Sequence, residues 1–141
     1  MITTINRQRT RRLNTKRWRG LAGRALKLID RASHDVSIVF VNDAAIRKLN
    51  RQFRKKDYAT DVLSFPHRTE AFESQEQTRL GEIVISLDRA AAQAKENGLS
   101  LTNEVEQLIL HGLLHLCGYD HATDDGEMNR LELKLRKKLG I

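Results

Sequence analysis

The segment from residue 111 to residue 121 contains three histidines and reads His111-Gly-Leu-Leu-His115-Leu-Cys-Gly118-Tyr-Asp-His121. Two imidazoles four residues apart on a helix lie on one face, one turn apart. Gly118 can end such a helix in the left-handed conformation, so that the chain turns and His121 reaches the same point. Three neutral imidazoles with an open fourth position are the usual ligands of a catalytic zinc, whereas structural zinc has four protein ligands. The spacing therefore predicts one zinc per chain, bound by His111, His115 and His121.

The same spacing occurs in the metzincin metalloproteases, with one difference that bears on the chemistry. In their H-E-x-x-H motif the glutamate after the first histidine is the general base of peptide hydrolysis. Gly112 stands at that position here and has no side chain that could move a proton. Glycine also costs roughly 1 kcal/mol relative to alanine inside a helix. Either space beside the metal or close packing against a strand would explain its presence. The sequence thus predicts a metal site without the usual protease chemistry.

Two further segments accompany the histidine segment. They are R-K-K-D-Y-A-T-D-V-L-S-F-P at residues 54–66 and L-G-E-I-V-I-S at residues 80–86. With the histidines they resemble the signature segments of the YbeY-type endoribonucleases, bacterial metal-dependent proteins of rRNA maturation. The three segments stand in that family's order, and with the flanking helices the resemblance covers nearly the whole chain. The arginine-rich N-terminus departs from the family pattern.

The resemblance implies a zinc-dependent, single-strand-specific endoribonuclease that acts in rRNA processing and maturation and in ribosome quality control. It also links Arg54 and His111 to catalysis. Cleavage of a phosphodiester places negative charge on non-bridging oxygens, and a planar guanidinium can bind two of them at once. Without the resemblance, Arg54 would be interpreted as a cation at the C-terminal end of a helix, which the helix dipole favours.

Two other functions are compatible with the same residues. In the first, zinc only stabilises the fold, and the chain is a non-catalytic factor that binds rRNA or the ribosome. In the second, the chain is a metalloprotease in which another residue replaces the missing glutamate. The expected partners are single-stranded RNA and rRNA, with the ribosomal subunit and ribosome-associated proteins as further candidates.

Composition limits the remaining possibilities. The 141 residues fit a single domain, residues 1–141, and the one cysteine fits a reducing compartment. Residues 1–31 carry a net charge of +9, whereas the remaining residues sum to −2. We expect this basic arm, about residues 1–20, to contact RNA phosphates, because lysine and arginine displace counterions without reading sequence. No apolar stretch approaches the roughly 20 residues of a membrane span, and the sequence predicts a cytoplasmic protein that does not associate with membranes.

The elements that position these residues predict an α+β domain. We expect a small mixed β-sheet of about four strands, packed with five or so helices, one of them a metzincin-like metal helix. Strands are predicted within residues 1–9, 36–41, 62–65 and 83–87. The strand at residues 81–86 is expected to lie beside the metal helix, where the metzincin likeness places an edge strand against the substrate. Helices are predicted at residues 15–31, after Asn42, and at residues 88–97, 102–117 and 124–139. The polar residues 67–79 are predicted to form a mobile loop.

Side chains near the histidines complete the predicted site. A metal-bound histidine usually donates its second ring N–H to an acceptor, often a carboxylate, and Asp120 and Glu104 are the two candidates for that role. Ser64 and Ser86 can donate to a phosphate or serve the fold. Cys117 lies on a different side of the helix from His115, so we expect a small core residue there and not a fourth ligand.

Overall fold

Four strands and five helices make up the described part of the fold. A computed structural model describes residues 1–68 and 78–141. Its strands are β1 (Ile2–Asn6), β2 (Asp35–Val41), β3 (Val62–Pro66) and β4 (Arg79–Ser86). Its helices are α1 (Thr15–Leu28), α2 (Asp43–Arg54), α3 (Leu87–Asn97), α4 (Leu101–Leu116) and α5 (Glu127–Leu139). The predicted α+β class is confirmed, while residues 69–77, the centre of the predicted polar loop, lie outside the described residues.

The strands form one mixed sheet in the order β1-β2-β4-β3. β1, β2 and β4 run parallel, and β3 pairs antiparallel with β4 at the edge of the sheet. Alternate strand residues face two separate cores, as the pleat requires. Ile38, Phe40 and Ile83 pack in the larger core with α1, α3, α4 and α5. The other face carries a smaller core, formed by Val41, Ile46, Leu63 and Val84, beneath α2.

The basic N-terminal region is part of this fold. Residues 2–6 form β1, and Trp18 of α1 is 1% exposed, with its indole Nε1 donating to the Thr102 carbonyl at 3.2 Å. Arg17 lies 3.0 Å from the carboxylate of buried Glu106, and Arg11 lies 3.6 Å from Asp88. Two arginines of the predicted arm therefore have structural partners, whereas no ion pair joins Arg9 or Arg12 to an acid within residues 1–68 and 78–141.

Helix α4 crosses the sheet, and Gly112 is the point of closest approach. A Cβ atom at this position would lie 2.9 Å from Cγ2 and 3.0 Å from Cδ1 of Ile83, which is fully buried in β4. Close packing against a strand therefore explains the glycine, and the same packing leaves no room for the glutamate of a metzincin.

Gly112→Ala is expected to destabilise the protein by about 1 kcal/mol. Overpacking a core typically costs about 1–3 kcal/mol, while alanine in place of glycine recovers about 1 kcal/mol of helix propensity. Urea unfolding measures the change. Because Ile83 supplies the obstructing atoms, the effects of Gly112→Ala and Ile83→Ala should be less than additive in the double variant. Full additivity would show that this contact is not the cause.

No helix within residues 1–68 and 78–141 combines the length and apolar character that a membrane crossing requires.

Candidate metal centre

His111 and His115 lie one turn apart on the same face of α4, as their spacing predicts. Their Nε2 atoms are 3.1 Å apart, and their ring centroids are 4.7 Å apart. Two nitrogens that each bind a tetrahedral zinc at about 2.0–2.1 Å are separated by roughly 3.3 Å. The two ring nitrogens thus converge at nearly the separation that a shared metal ion requires. Burial lowers the pKa of His115, and the neighbouring His111 lowers it further, so this imidazole is neutral at pH 7 and able to bind a metal.

Gly118 ends α4 and reverses the chain. Its φ is +97°, a conformation that side-chain-bearing residues rarely adopt. Its N–H donates to the His115 carbonyl at 3.0 Å, and the N–H of Tyr119 donates to the Leu114 carbonyl at 3.1 Å. This is the Schellman arrangement of a helix C-terminus. The chain then returns toward the helix, so that the ring centroid of His121 is 5.1 Å from that of His111 and 6.0 Å from that of His115.

A buried acid on α5 holds His111 from behind. Glu132 is 5% exposed, and its Oε1 lies 2.6 Å from Nδ1 of His111. Burial alone would raise the pKa of Glu132, but the hydrogen bond and charge of His111, together with Arg136, outweigh it and leave the pKa below its ordinary value. An ionised Glu132 keeps the proton of His111 on Nδ1 and leaves Nε2 free, which is the arrangement that metal-bound histidines usually have.

Glu132 takes the role that the sequence suggested for Asp120 or Glu104. The Asp120 carboxylate accepts from the backbone N–H of Ala122 at 2.9 Å and shapes the turn before His121. Glu104 accepts from the side-chain amide of Asn97 at 3.3 Å. The sequence did hold a signal for Glu132, because it occupies the apolar stripe of α5 that is otherwise formed by Met128, Leu135 and Leu139. An acid is rarely buried unless it is paired.

The same residues also offer a second donor set. His111, His121 and Glu132 each present a ligand atom, and these atoms lie within 4.8 Å of one another. The two sets share His111 and His121 and differ in whether His115 or Glu132 is the third ligand. Imidazole nitrogen and carboxylate oxygen both suit zinc. The hydrogen bond between Glu132 and Nδ1 of His111 favours the set with three histidines, since it directs the other nitrogen of His111 toward His115.

His111 and His115 open into a cleft of about 710 Å³, which Arg54 also lines. Arg54 is the last residue of α2, and Lys55 follows it in a left-handed conformation at φ 56°. The loop after α2 is fixed by buried Asn50, whose amide donates to the Tyr58 carbonyl at 2.9 Å. A paired contact between Arg47 and Asp57, at 2.9 and 3.2 Å, fixes it further. This loop leads directly into β3, which forms a wall of the cleft.

Strand order corrects one expectation about the cleft. The metzincin likeness predicts that the strand at residues 81–86 lies beside the metal helix as an edge strand. β4 does contact α4 at Gly112, but it lies inside the sheet, and β3 forms the edge.

Both serines make hydrogen bonds within the fold, and Ser64 also lines the cleft. The Ser64 hydroxyl donates to the Gly112 carbonyl at 3.4 Å. The buried Ser86 hydroxyl donates to Asp43 at 2.7 Å and accepts from the N–H of Arg89 at the start of α3. Cys117 lines a different cavity, with Leu28 and Leu131, and burial raises the pKa of its thiol. The thiol therefore stays protonated at pH 7, and Cys117 does not line the cleft of His111 and His115.

Glu132→Gln is expected to weaken zinc binding about 10- to 100-fold, the usual effect of losing an acid behind a ligand histidine. The amide is of similar size but no longer carries the charge that holds the proton on Nδ1 of His111. Competition with a chromophoric chelator at pH 7 measures the affinity. Glu127→Gln, in the exposed first turn of the same helix, is the matched control and should bind zinc like the unmodified chain. Equal affinities in all three proteins would contradict the role given to Glu132.

Comparisons with known proteins give a consistent result. The sequence model of the family described as Endoribonuclease YbeY matches residues 3–140. The protein named Endoribonuclease YbeY of Geobacter metallireducens is 36% identical over 141 residues, covering 99% of this chain and 94% of the relative. That of Nautilia profundicola is 50% identical over 107 residues, covering 76% and 73%. The solution structure of TM1509 from Thermotoga maritima is similar with a TM-score of 0.65 and 27% identity, covering 99% of this chain and 89% of that one.

Proposed function

Since this chain belongs to the Endoribonuclease YbeY family and is an enzyme that cleaves RNA phosphodiester bonds, we propose that it acts as a zinc-dependent endoribonuclease on single-stranded RNA. Its role is in rRNA processing and maturation and in ribosome quality control, in the cytoplasm. One observation carries this proposal: Arg54, His111 and His115 line the same cleft. A guanidinium and two imidazoles in one cleft suit a phosphodiester better than a peptide bond, because the charge that develops lies on phosphate oxygens.

His111, His115 and His121 would hold one zinc per chain. When bound, zinc supplies a Lewis acid and a water of lowered pKa. The donor set fits this ion, because the Nε2 atoms of His111 and His115 converge to 3.1 Å and Glu132 holds the opposite nitrogen of His111. His121 is exposed, and would supply the third imidazole from the turn after α4.

Arg54 would bind the non-bridging oxygens of the scissile phosphate with two of its guanidinium nitrogens and stabilise the charge that develops there. With glycine at position 112, no side chain from the metal helix takes the place of the metzincin base. His111 would take part in catalysis with its proton held at Nδ1 by Glu132, 2.6 Å away. Two nucleophiles are available for the reaction, the 2′-hydroxyl of the RNA and a water molecule.

A cleavage assay with matched RNA substrates tests the proposal. We expect the zinc-loaded protein to cleave a single-stranded RNA and to leave the same sequence intact when it is paired in a duplex. A 2′,3′-cyclic phosphate at the product end identifies attack by the 2′-hydroxyl, and an ordinary monophosphate end identifies water. Chelation should abolish cleavage while circular dichroism still reports a folded protein.

Other outcomes of this assay would favour other functions. If chelation unfolds the chain and the zinc-loaded protein cleaves no RNA, a zinc-stabilised factor that binds rRNA or the ribosome explains the residues better. Cleavage of casein with added zinc would indicate a metalloprotease. Elemental analysis of the purified protein gives the identity of the metal and the number of ions per chain.

The basic N-terminal region is expected to contribute phosphate contacts through Arg9 and Arg12. Each contact to a single strand changes the slope of log affinity against log salt by about 0.7, so the double alanine variant should flatten it by about 1.4. Fluorescence anisotropy of a labelled RNA across a salt series measures this slope. Arg11 and Arg17 are left in place because they pair with Asp88 and buried Glu106. An unaltered slope would show that the region is only a solvated surface.

A further inference from the structure

Phe53 is exposed where the sequence periodicity predicts a core position. It follows Ile46 by seven residues on α2, and Ile46 is fully buried, yet 58% of Phe53 is exposed. Its ring meets the ring of Phe65 on β3 nearly edge-on, with centroids 5.2 Å apart and an interplanar angle of 71°. Exposure of a large apolar side chain to water is unfavourable. The surroundings of Phe53 indicate whether its ring could contact a ligand.

The aromatic pair stands at the junction of two depressions. One is the metal cleft. The other is a trough of about 810 Å³ on the α2 face of the sheet, with a floor that includes Val39, Val41 and Val84. Phe53 and Phe65 line both depressions. A chain that leaves the metal cleft in this direction therefore passes directly over the two rings.

The charges around the pair are those that a nucleotide requires. Arg54 follows Phe53 on the cleft side, and Lys48 and Arg7 line the trough. Glu82, which also lines the trough, pairs with Arg79 at 3.3 Å. A nucleotide combines a flat base, which stacks on aromatic rings, with an anionic phosphate, which binds arginine and lysine. Aromatic rings beside an apolar floor, with cations lining both depressions, match this combination.

We propose that Phe53 and Phe65 form a stacking subsite for a base of the RNA substrate close to the scissile phosphate, and that the strand continues from there over the trough. This inference rests on the proposed function. It names the occupant of the trough as RNA, in preference to an apolar peptide segment or a second copy of the chain, because the cations Arg7, Lys48 and Arg54 line the two depressions that meet at the rings.

The test combines a protein variant with an RNA variant. A short single-stranded RNA with one defined cleavage site is prepared with an abasic nucleotide at each position in turn. For the unmodified protein, removal of the base at one position near the cleavage site should weaken binding about five- to a hundredfold, the range for loss of one stacked base. Phe53→Leu should weaken binding of the intact RNA by a similar factor, raise KM more than it lowers kcat, and lose the sensitivity to that abasic position.

Two further variants control for folding and for general apolar effects. Phe53→Trp keeps a stacking surface and should restore both affinity and the abasic pattern. Leu133→Ala removes an apolar side chain of similar exposure, 54%, from α5 and should leave binding unchanged. RNA binding and abasic sensitivity equal to those of the unmodified protein in Phe53→Leu would overturn the subsite while the nuclease proposal stands. An unmodified protein that neither binds nor cleaves single-stranded RNA would overturn both.

Discussion

Arg54→Ala is expected to slow RNA cleavage about 10²–10³-fold, some 3–4 kcal/mol of transition-state stabilisation, which is the usual effect of removing one charge-stabilising donor. Zinc content and folding should stay as in the unmodified protein. Arg54 lines the cleft from the end of α2, whereas the proposed ligand histidines come from α4 and the turn after it. The arginine can therefore be removed without disturbing the metal. Rate, zinc content and thermal transition should be measured on the same preparation.

Two neighbouring variants make this experiment specific. Arg54→Lys should recover only part of the lost rate, since an ammonium keeps the charge but lacks the two parallel donors of a guanidinium. Arg51→Ala removes an exposed cation from the same last turn of α2, where a cation interacts favourably with the helix dipole just as Arg54 does. It should cleave nearly as well as the unmodified protein. If Arg54→Ala also cleaves normally, Arg54 is a structural cation at the helix end.

Local signals in the sequence predicted most elements and the arrangement of the histidines. Asn42 caps α2 by accepting from the N–H of Ala45, and Gly98 ends α3 with φ +68°, as their residue types indicate. Spacing alone brought His111 and His115 to one helix face, and Gly118 provided the reversal toward His121. These features depend on contacts within a few residues, which a sequence displays directly. The start of α5 was placed three residues early because Asp124 caps the helix from outside by accepting from the N–H of Met128.

Features that depend on distant pairing could not be predicted in the same way. Glu132 contacts His111 from α5 and lies 21 residues after it in the sequence. The apolar neighbours of Glu132 indicate that the buried acid needs a partner, but they do not identify that partner. The position of β3 at the edge follows from pairing with β4 across residues 67–78, and periodicity does not specify the order of strands. By its spacing from Ile46, Phe53 belongs to the apolar face of α2. At the last turn of α2, however, that face is no longer covered, and Phe53 is exposed. Spacing in the sequence identifies which residues share one face of a helix. It does not show how far along the helix the sheet covers that face.

His115→Ala is expected to lose both zinc and RNA cleavage, with cleavage falling to background. Two ligands hold zinc far more weakly than three, because the ion must then complete its shell with water. The loss should occur with the fold retained, since His115 lies beside the cleft and its ring packs against His111 and not in the core. Metal content by elemental analysis and cleavage rate should be measured together, with His34→Ala, outside the histidine segment, as the control that keeps both.

This variant also separates the two donor sets, because they make opposite predictions for one pair of substitutions. If the ligands are His111, His115 and His121, His115→Ala loses the metal and Glu132→Gln only weakens its binding about 10- to 100-fold. If the ligands are His111, His121 and Glu132, His115→Ala retains the metal and Glu132→Gln loses it. Zinc retained by His115→Ala at the level of the control would therefore contradict the set of three histidines. Such a result would move the metal to the Nδ1 side of His111, facing the carboxylate of α5 instead of its neighbour on α4.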